Sequence, residues 1–310
     1  GGPVISEGKI IGVIFQSSTG QNIGFMVPAP VIRHFFKDLA DGRIDGVPTL
    51  FFVWQNLENR QMREFLDMSR NQSGVLVKEV SPAFMDETKL MPGDVILFID
   101  GHNVANDGTI ILRENERISF GYAIDRKQIN DRITVRVLRK GIELTLDIGL
   151  SVARTSYGYL IPRIQYETPP TYYIIGGLVF TRLTENYLHL WSKWRNVPIR
   201  LKKYYYDIVT VENQHRHDVV ILMDILPDKV NVGFDDFKHW VIKEVNGVKI
   251  NSMRDLADAF ENNGANYHQV VMERHNAEIV LSKKGLNRKS LRILQKYKVS
   301  ADRSADLRNP

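Results

Sequence analysis

The strongest constraint on this chain is a set of turn residues that occurs twice in the same order. An extended run ends at Val80-Ser81-Pro82, and Val95-Ile96 and Asp100-Gly101 follow it. Further along, Ile225-Leu226-Pro227 precedes Val241-Ile242 and Asn246-Gly247. Corresponding residues lie about 145 positions apart, and a shared order of strand, proline, turn, strand and Asp/Asn-Gly marks a domain repeat. Two units of roughly 100 residues, with a shorter segment before them, fit a chain of 310 residues.

The segment before the repeat reads as short strands and a helix. Lys9–Phe15 is β-branched and has the look of a buried strand, a polar turn follows at Ser17–Gln21, and Asn22–Val27 is a second strand. Pro30 suits the first turn of a helix with Val31, Phe35, Phe36 and Leu39 on one face and Gly42 past its end. A helix is expected over Glu58–Met68, with Met62, Phe65 and Leu66 on its apolar face. The first copy then offers strands at Gly74–Val80, Val95–Asp100, Arg132–Leu138 and Glu143–Ile148, a helical segment near Ile118–Ile124, and a hairpin turn at Lys140-Gly141.

In the second copy the expected strands are Tyr172–Phe180, Val219–Leu226, Val241–Asn246, Gln269–Met272 and Ala277–Leu281. Thr184 caps a helix carrying Tyr187, Leu188 and Trp191, and Ser252 opens another whose buried stripe is Leu256, Ala259 and Phe260. The pattern is mainly β with α, an α+β class.

Composition narrows the chemistry. No cysteine is present, which excludes disulfide frameworks, Cys-ligated zinc, iron–sulfur clusters and thiol catalysis. Tyr172–Phe180 is the longest apolar stretch and is too short to span a bilayer, and Gly1-Gly2-Pro3-Val4 opens no signal-peptide pattern. The net charge of +5 resides in residues 286–310, where seven basic side chains face two acidic ones, so the rest of the chain is neutral. That tail also has Leu291, Ile293, Leu294 and Tyr297 to bury.

The turn Pro92-Gly93-Asp94 followed by Val95–Gly101 (VILFIDG) resembles the middle of a PDZ domain, and Val241–Gly247 (VIKEVNG) resembles it again. With LENRQMREFLDM, SGVLVKEVSP, ANDGT, ERISF, IIGGLVFT, ENQ at Glu212–Gln214 and ADRSADL at Ala301–Leu307, the chain resembles the eukaryotic, plant-like branch of the HtrA/Deg serine proteases along nearly its whole length. The resemblance implies the terminal strands of a chymotrypsin-like barrel (1–42), PDZ domain 1 (43–152), PDZ domain 2 (153–285) and a basic C-terminal tail (286–310). It also implies a homo-oligomer joined through PDZ and tail contacts, and unfolded or damaged proteins or peptides as substrates. No cofactor or metal is implied. An organelle (a chloroplast-like plastid or mitochondrion) or the nucleus is the implied compartment.

In that family the nucleophilic serine sits in a GNSGGP-type loop, so the resemblance places it before Gly1, with the histidine and aspartate further upstream. A hydroxyl, an imidazole, a carboxylate and oxyanion donors are all needed for such chemistry, and no residue of this chain is assigned to any of them. The resemblance implies that Asn22, Ile23, Gly24 and Phe25 form the strand that pairs with substrate beside the primary specificity pocket. A tag remnant before an unrelated hairpin is the other reading of this end.

PDZ domains bind an extended peptide as an added strand, with loop amides holding its carboxylate. In the second copy the resemblance points to Ile175, Gly176, Gly177 and Leu178 as that loop, Val179 and Phe180 as the edge strand, and Leu256 and Phe260 as the helical wall. The alternative is that Gly176-Gly177 is a bulge in a buried strand. The matching place in the first copy is Leu50, Phe51 and Phe52. Phe51 stands where the family has glycine, and would be strained at positive φ or fill the pocket itself.

Lys202-Lys203-Tyr204-Tyr205-Tyr206, with Arg195 and Arg200 upstream, sets bases beside aromatic rings in a way that suits nucleic acid or an anionic surface, or else reads as a solvated linker or strand. His215-Arg216-His217 reads as a surface loop rather than a metal site. Trp191, Trp194 and Trp240 read as core or interface anchors. The resemblance implies that the chain is the substrate-recognising, regulatory and oligomerising part of an ATP-independent serine endopeptidase. Its alternative is a non-catalytic tandem-PDZ scaffold that binds protein C-termini, and nucleic-acid binding through the tail is a more distant third.

Overall fold

Alternating apolar residues become strands in two compact units, Gly1–Gly158 and Tyr159–Pro310, of the computed structural model. It describes residues 1–18, 23–40, 42, 44–151, 158–210 and 212–308. Asn22, most of the turn expected at 17–21 and the boundary expected at 152–153 lie outside the described residues.

The first unit opens with an antiparallel sheet of β1 (Pro3–Ser6), β2 (Lys9–Ser18) and β3 (Ile23–Pro28), in that order, followed by α1 (Ala29–Leu39). Gly42 takes a positive φ and its N–H closes on Leu39 O, as a helix C-terminal glycine does. The expectation that Lys9–Phe15 is buried is corrected. Ile10, Phe15, Val31, Phe35, Phe36 and Leu39 are all exposed, because among the described residues no second layer covers this sheet and helix.

The rest of this unit runs β4 (Phe52–Asn56), α2 (Arg60–Phe65), β5 (Val75–Val80), α3 (Met85–Thr88), β6 (Val95–Ile99), β7 (His102–Asn103), β8 (Thr109–Arg113), β9 (Glu116–Ser119), α4 (Gly121–Asp125), β10 (Arg132–Arg139) and β11 (Ile142–Gly149). The main sheet has the order β11-β10-β6-β5-β4, with β7 paired to β6, so β4 is an edge strand. Val75 and Val77, and Val135 and Val137, point into one core with the alternation of the sequence, and Ile96, Ile99 and Ile148 join them, the register shifting between Ile96 and Phe98. The carboxylate of Asp94, in the Gly93-Asp94 turn, is buried and accepts from Arg139 Nε at 2.7 Å, Arg139 Nη2 at 2.8 Å and the Met91 amide at 2.9 Å. A buried carboxylate needs such a set of partners. Asn59 caps α2 by accepting from the Met62 amide at 3.1 Å. Met62 and Leu66 pack over Leu57 and Met68, whereas Phe65, expected on the same face, is exposed.

The second unit runs β12 (Tyr172–Ile175), β13 (Leu178–Arg182), α5 (Glu185–Leu188), α6 (Ile199–Tyr206), β14 (Val220–Ile225), β15 (Ile242–Val245), β16 (Val248–Lys249), α7 (Met253–Glu261), β17 (Tyr267–Met272), β18 (Glu278–Ser282) and α8 (Leu286–Lys296). Its sheets have the orders β12-β13-β14 and β16-β15-β17-β18, linked by a bridge between Ile221 and Val241. Phe180, Leu222, Ile242, Leu256, Phe260, Val270 and Ile279 form the larger core, and a second core gathers Leu160, Ile161, Leu188, Leu201 and Tyr204 around α5 and α6. Residues 202–206, expected as a linker or strand, are helical: Leu201 and Tyr204 recur on the buried face of α6 while charged groups face out.

Residues 286–308, set apart by charge in the sequence, fold into this unit. Leu286, Ile293 and Leu294 of α8 are buried, Leu291 is exposed, and Leu307 near the C-terminus joins the larger core. Their cations have local partners: Arg292 binds Asp228 at 2.8 Å, and Arg303 binds Glu261 and Asp302.

Candidate functional site

One hydrogen bond places the two copies in register. The Ser81 amide, just before Pro82, donates to Phe51 O at 2.9 Å; the Leu226 amide, just before Pro227, donates to Gly177 O at 2.8 Å. Phe51 and Gly177 are therefore equivalent positions, at the entrance to β4 and β13.

In the second unit Gly176 and Gly177 both have positive φ, +58° and +83°, and Ile175 pairs with Leu178. This is a two-residue hairpin turn whose backbone only glycine, asparagine or aspartate adopts readily. A Cβ on Gly177 would lie 2.5 Å from Asn231 Nδ2 and 2.6 Å from Leu226 O. The reading of Tyr172–Phe180 as one strand is corrected, and the bulge alternative with it: the chain reverses at the glycines and β12 pairs antiparallel with β13. Val179 and Phe180 then lie on the middle strand of the sheet, and Leu256 and Phe260 belong to the closed core. The expected slot between β13 and α7 is filled by β12, whose Tyr173 stacks on Phe260 at 5.7 Å.

The polar atoms of the turn are held from several sides. Gly176 N–H donates to Ser290 Oγ at 2.9 Å. Asn231, only 2% exposed, donates from Nδ2 to Gly176 O at 2.9 Å and Leu226 O at 2.8 Å. Neither Ser290 nor Asn231 emerges from sequence reasoning alone. The signal for Asn231 is the Pro227-Asp228 turn: the Asp228 amide donates to Asn231 Oδ1 at 2.9 Å, and the Val230 amide to Asp228 Oδ1.

The outer edge of β12 carries the C-terminal segment. Ile174 N–H donates to Asp302 O at 2.7 Å, Ser304 N–H donates to Tyr172 O at 3.0 Å, and Tyr172 N–H donates to Ser304 Oγ at 3.0 Å. Tyr173 and Arg303 form the antiparallel bridge. Beside this pairing lies a cavity of about 830 Å³ whose walls include Ile175, Phe260, His268, Lys283, Leu294 and Arg303. The Arg303 guanidinium lies 5.0 Å from the centre of the Tyr173 ring and is held above its ordinary pKa, first by its bond to Asp302 and also by Glu261. Burial pushes the Tyr173 hydroxyl up to about 12 against the pull of Arg303. Burial, and then Lys283, push the His268 imidazole down. This corner therefore combines apolar walls with Lys283 and with Arg303, whose charge is paired with Glu261 and Asp302, beside a strand edge that the C-terminal segment occupies.

The first unit treats the equivalent place differently. Phe51 does not take a positive φ, is 3% exposed, and stacks on Phe84 at 4.9 Å. A Cβ on Gly158 would fall 2.3 Å from its ring, so Phe51 occupies the space of a pocket. Leu50 is buried beside it. Phe52 stacks on Phe120 at 6.2 Å, and Trp54 meets Phe120 edge to face at 5.3 Å.

The remaining candidates lie apart from these sites. Ile23, Gly24 and Phe25 lie on β3, an edge strand, opposite Ser18, Ser17 and Gln16, and Phe25 is exposed. Tyr204 donates to Glu273, which also pairs with Arg216 at 3.0 Å, so α6 is tied into a local network. Trp191 packs on its core cluster, while Trp194 meets Tyr205 and Tyr206 at the surface. Among the described residues no group of three or more His, Asp or Glu side chains is arranged to hold a metal ion, and no helix is long and apolar enough to cross a membrane.

The PDZ domain model matches residues 161–306, which includes α8 and the pairing segment at its end. Over 309 residues, 99% of this chain, it is 30% identical to the putative protease Do-like 3, mitochondrial, of Arabidopsis thaliana, of which it covers 53%. It is 33% identical over its full length to protease Do-like 2, chloroplastic, of the same plant, covering 50% of that protein. The chain thus spans about half the length of the curated relatives it matches. Among solved structures, the HtrA-type protease AlgW with a decapeptide overlaps 46% of this chain and 42% of its own at 21% identity, with a TM-score of 0.32.

Proposed function

The chain belongs to the Do-like, or HtrA-type, protease family, and from that premise we propose that it forms the substrate-recognising, regulatory and oligomerising part of an ATP-independent serine endopeptidase that acts on unfolded or damaged proteins. The observation that carries this reading is the corner of the second unit, where the PDZ match coincides with a strand edge, a glycine turn and a cavity lined by apolar groups and by charged groups of both signs. An extended peptide would add to β12, with Ile175, Phe260 and Leu294 taking an apolar side chain and Arg303 or Lys283 an acidic group. Gly176, Gly177 and Leu178 set the shape of that corner rather than forming an open edge.

Residues 43–152 form a second PDZ domain in this proposal, supported by the repeat and by the shared bond to Phe51 and Gly177. Residues 1–42 complete a protease barrel, which the exposed apolar face of β2 and α1 supports: a monomer seldom leaves so many large side chains in water without a partner surface. Catalysis belongs to the complete protein, and no residue of this chain is assigned to it. The relatives are named as proteases, which favours this reading over a non-catalytic scaffold. Their names also favour a mitochondrion or plastid as the compartment, whereas nothing in them supports the nucleus.

The test is binding and cleavage of an unfolded protein. Reduced, carboxymethylated lactalbumin should bind the 310-residue chain in fluorescence anisotropy without being cut, and the complete gene product should cleave it. Absence of cleavage by the complete product would overturn the protease assignment, and sedimentation velocity decides whether copies of the chain associate.

A further inference from the structure

We propose that residues 300–304 of the C-terminal segment are a displaceable intramolecular strand that holds the peptide corner of the second unit closed. The inference rests on the reading of that corner as a peptide site. Its observation is the pairing on β12: the outward backbone groups of Tyr172 and Ile174, which an added strand would use, are taken by Asp302 and Ser304 of the same chain. The same segment supplies Arg303 to clamp Glu261 at the end of α7, and Ser290 of α8 takes the Gly176 amide that a carboxylate would otherwise meet. Strand addition is itself a peptide-recognition mode, so the tail makes contacts of the kind a ligand would make.

Two features make the segment displaceable rather than a permanent part of the sheet. Its pairing is a single bridge, between Tyr173 and Arg303, whereas the β10–β11 hairpin pairs along its whole length. The segment also lies against a cavity of about 830 Å³ that Ser300, Ala301, Asp302 and Arg303 line together with β12, α7 and α8, so its inner side is not packed as a core strand is. Leu307 is buried in the core and Arg254 donates to Leu307 O and Asp306 O, so the chain is tethered beyond the pairing residues and can close again.

The experiment compares the 310-residue chain with one ending at Lys298. Two probes are used in anisotropy: a fluorescein-labelled peptide copying residues 299–308, and carboxymethylated lactalbumin. The shortened chain should bind the tail peptide and bind lactalbumin at least tenfold more tightly than the intact chain, and unlabelled tail peptide should reverse the gain. Equal lactalbumin binding by both chains would overturn the latch while leaving the peptide corner standing. Tail-peptide binding without lactalbumin binding would support the latch and count against the corner as a substrate site. Should the shortened chain fail to fold, Ser304→Pro removes the donor to Tyr172 O and should give the same direction of change. In the intact chain, hydrogen exchange at Ile174 and Ser304 should be at least a hundredfold faster than at Leu222; exchange at the same rate as Leu222 would show that the segment opens only when the unit unfolds.

Discussion

The two copies treat the same place, a strand edge beside a turn, in opposite ways. In the first, β4 stays at the edge of its sheet, but the loop position equivalent to Gly177 is Phe51, whose ring fills the pocket against Phe84. In the second, the glycines keep the loop backbone at positive φ, but β12 and the C-terminal segment cover the edge. An edge strand is a template for pairing with any chain, and proteins cover it or blunt it. Here one copy has blunted its loop and the other has covered its edge. The difference separates two requirements of peptide capture that are met together in an unmodified site: free backbone groups along a strand, and amides free to hold a carboxylate.

Removing the plug tests the first half of that contrast with the largest effect. Phe51→Ala should cost about 3–5 kcal/mol, the range for deleting a buried ring, read as a shift of the urea midpoint followed by Trp54, the tryptophan of the first unit, against Phe120. A loss below about 1 kcal/mol would mean that Phe51 is a surface ring and not a plug. Gly177→Val should cost about 3 kcal/mol, combining strain at positive φ with a clash against Asn231 and Leu226. Its effect should appear in the far-UV signal of the second unit, and a neutral outcome would remove the reason for glycine at this turn. Asn231→Ala leaves Gly176 O and Leu226 O without their side-chain donor and should cost about 2 kcal/mol. Combined with Gly177→Val its cost should fall well short of additive, since both act on one turn.

How far these sites were legible in the sequence follows from the range of the forces involved. Local chemistry was readable: Thr184 and Ser252 cap their helices through the Tyr187 and Asp255 amides, and Val75 and Val77 point inward from a strand with period two. The equivalence of Phe51 with Gly177 comes from the structure, through the bonds from Ser81 and Leu226, because the two lie 126 positions apart and outside the 145-residue offset of the repeat. What was not readable was pairing across distance. An apolar run through Tyr172–Phe180 is compatible with one strand or with two strands around a glycine turn, and only the partner of β12 decides between them. Residues 202–206, two lysines followed by three tyrosines, show no period of their own, and burial of Leu201 and Tyr204 selects a helix. The tail advertised its charge and hid its contacts, since Asp302, Arg303 and Ser304 meet residues more than forty positions away.

The smallest prediction concerns an asymmetry in acid response that the second unit carries in its smaller core. Burial alone would raise the Glu273 pKa, but the Tyr204 hydroxyl and Arg216 outweigh it and hold the carboxyl below its ordinary value. A carboxyl depressed in the folded state contributes stability that is complete above its unfolded value, near ~4.3, and is lost as pH falls through the folded value. Burial first, and then Glu273, push the Tyr204 hydroxyl up, so its contribution is complete below about 10 and is lost in alkali. The pair therefore supports the unit between roughly pH 5 and 10. Glu273 is about one-third exposed, so screening should limit its acid contribution to about 1 kcal/mol or less. Tyr204→Phe removes the donor and keeps the ring, and should flatten the acid limb of the stability profile read by the tryptophans of the second unit. Trp54 should report no change in that limb. A variant that shifted both signals equally would mean that the two units unfold as one, and the contrast between their sites would then have to be measured by binding rather than by stability.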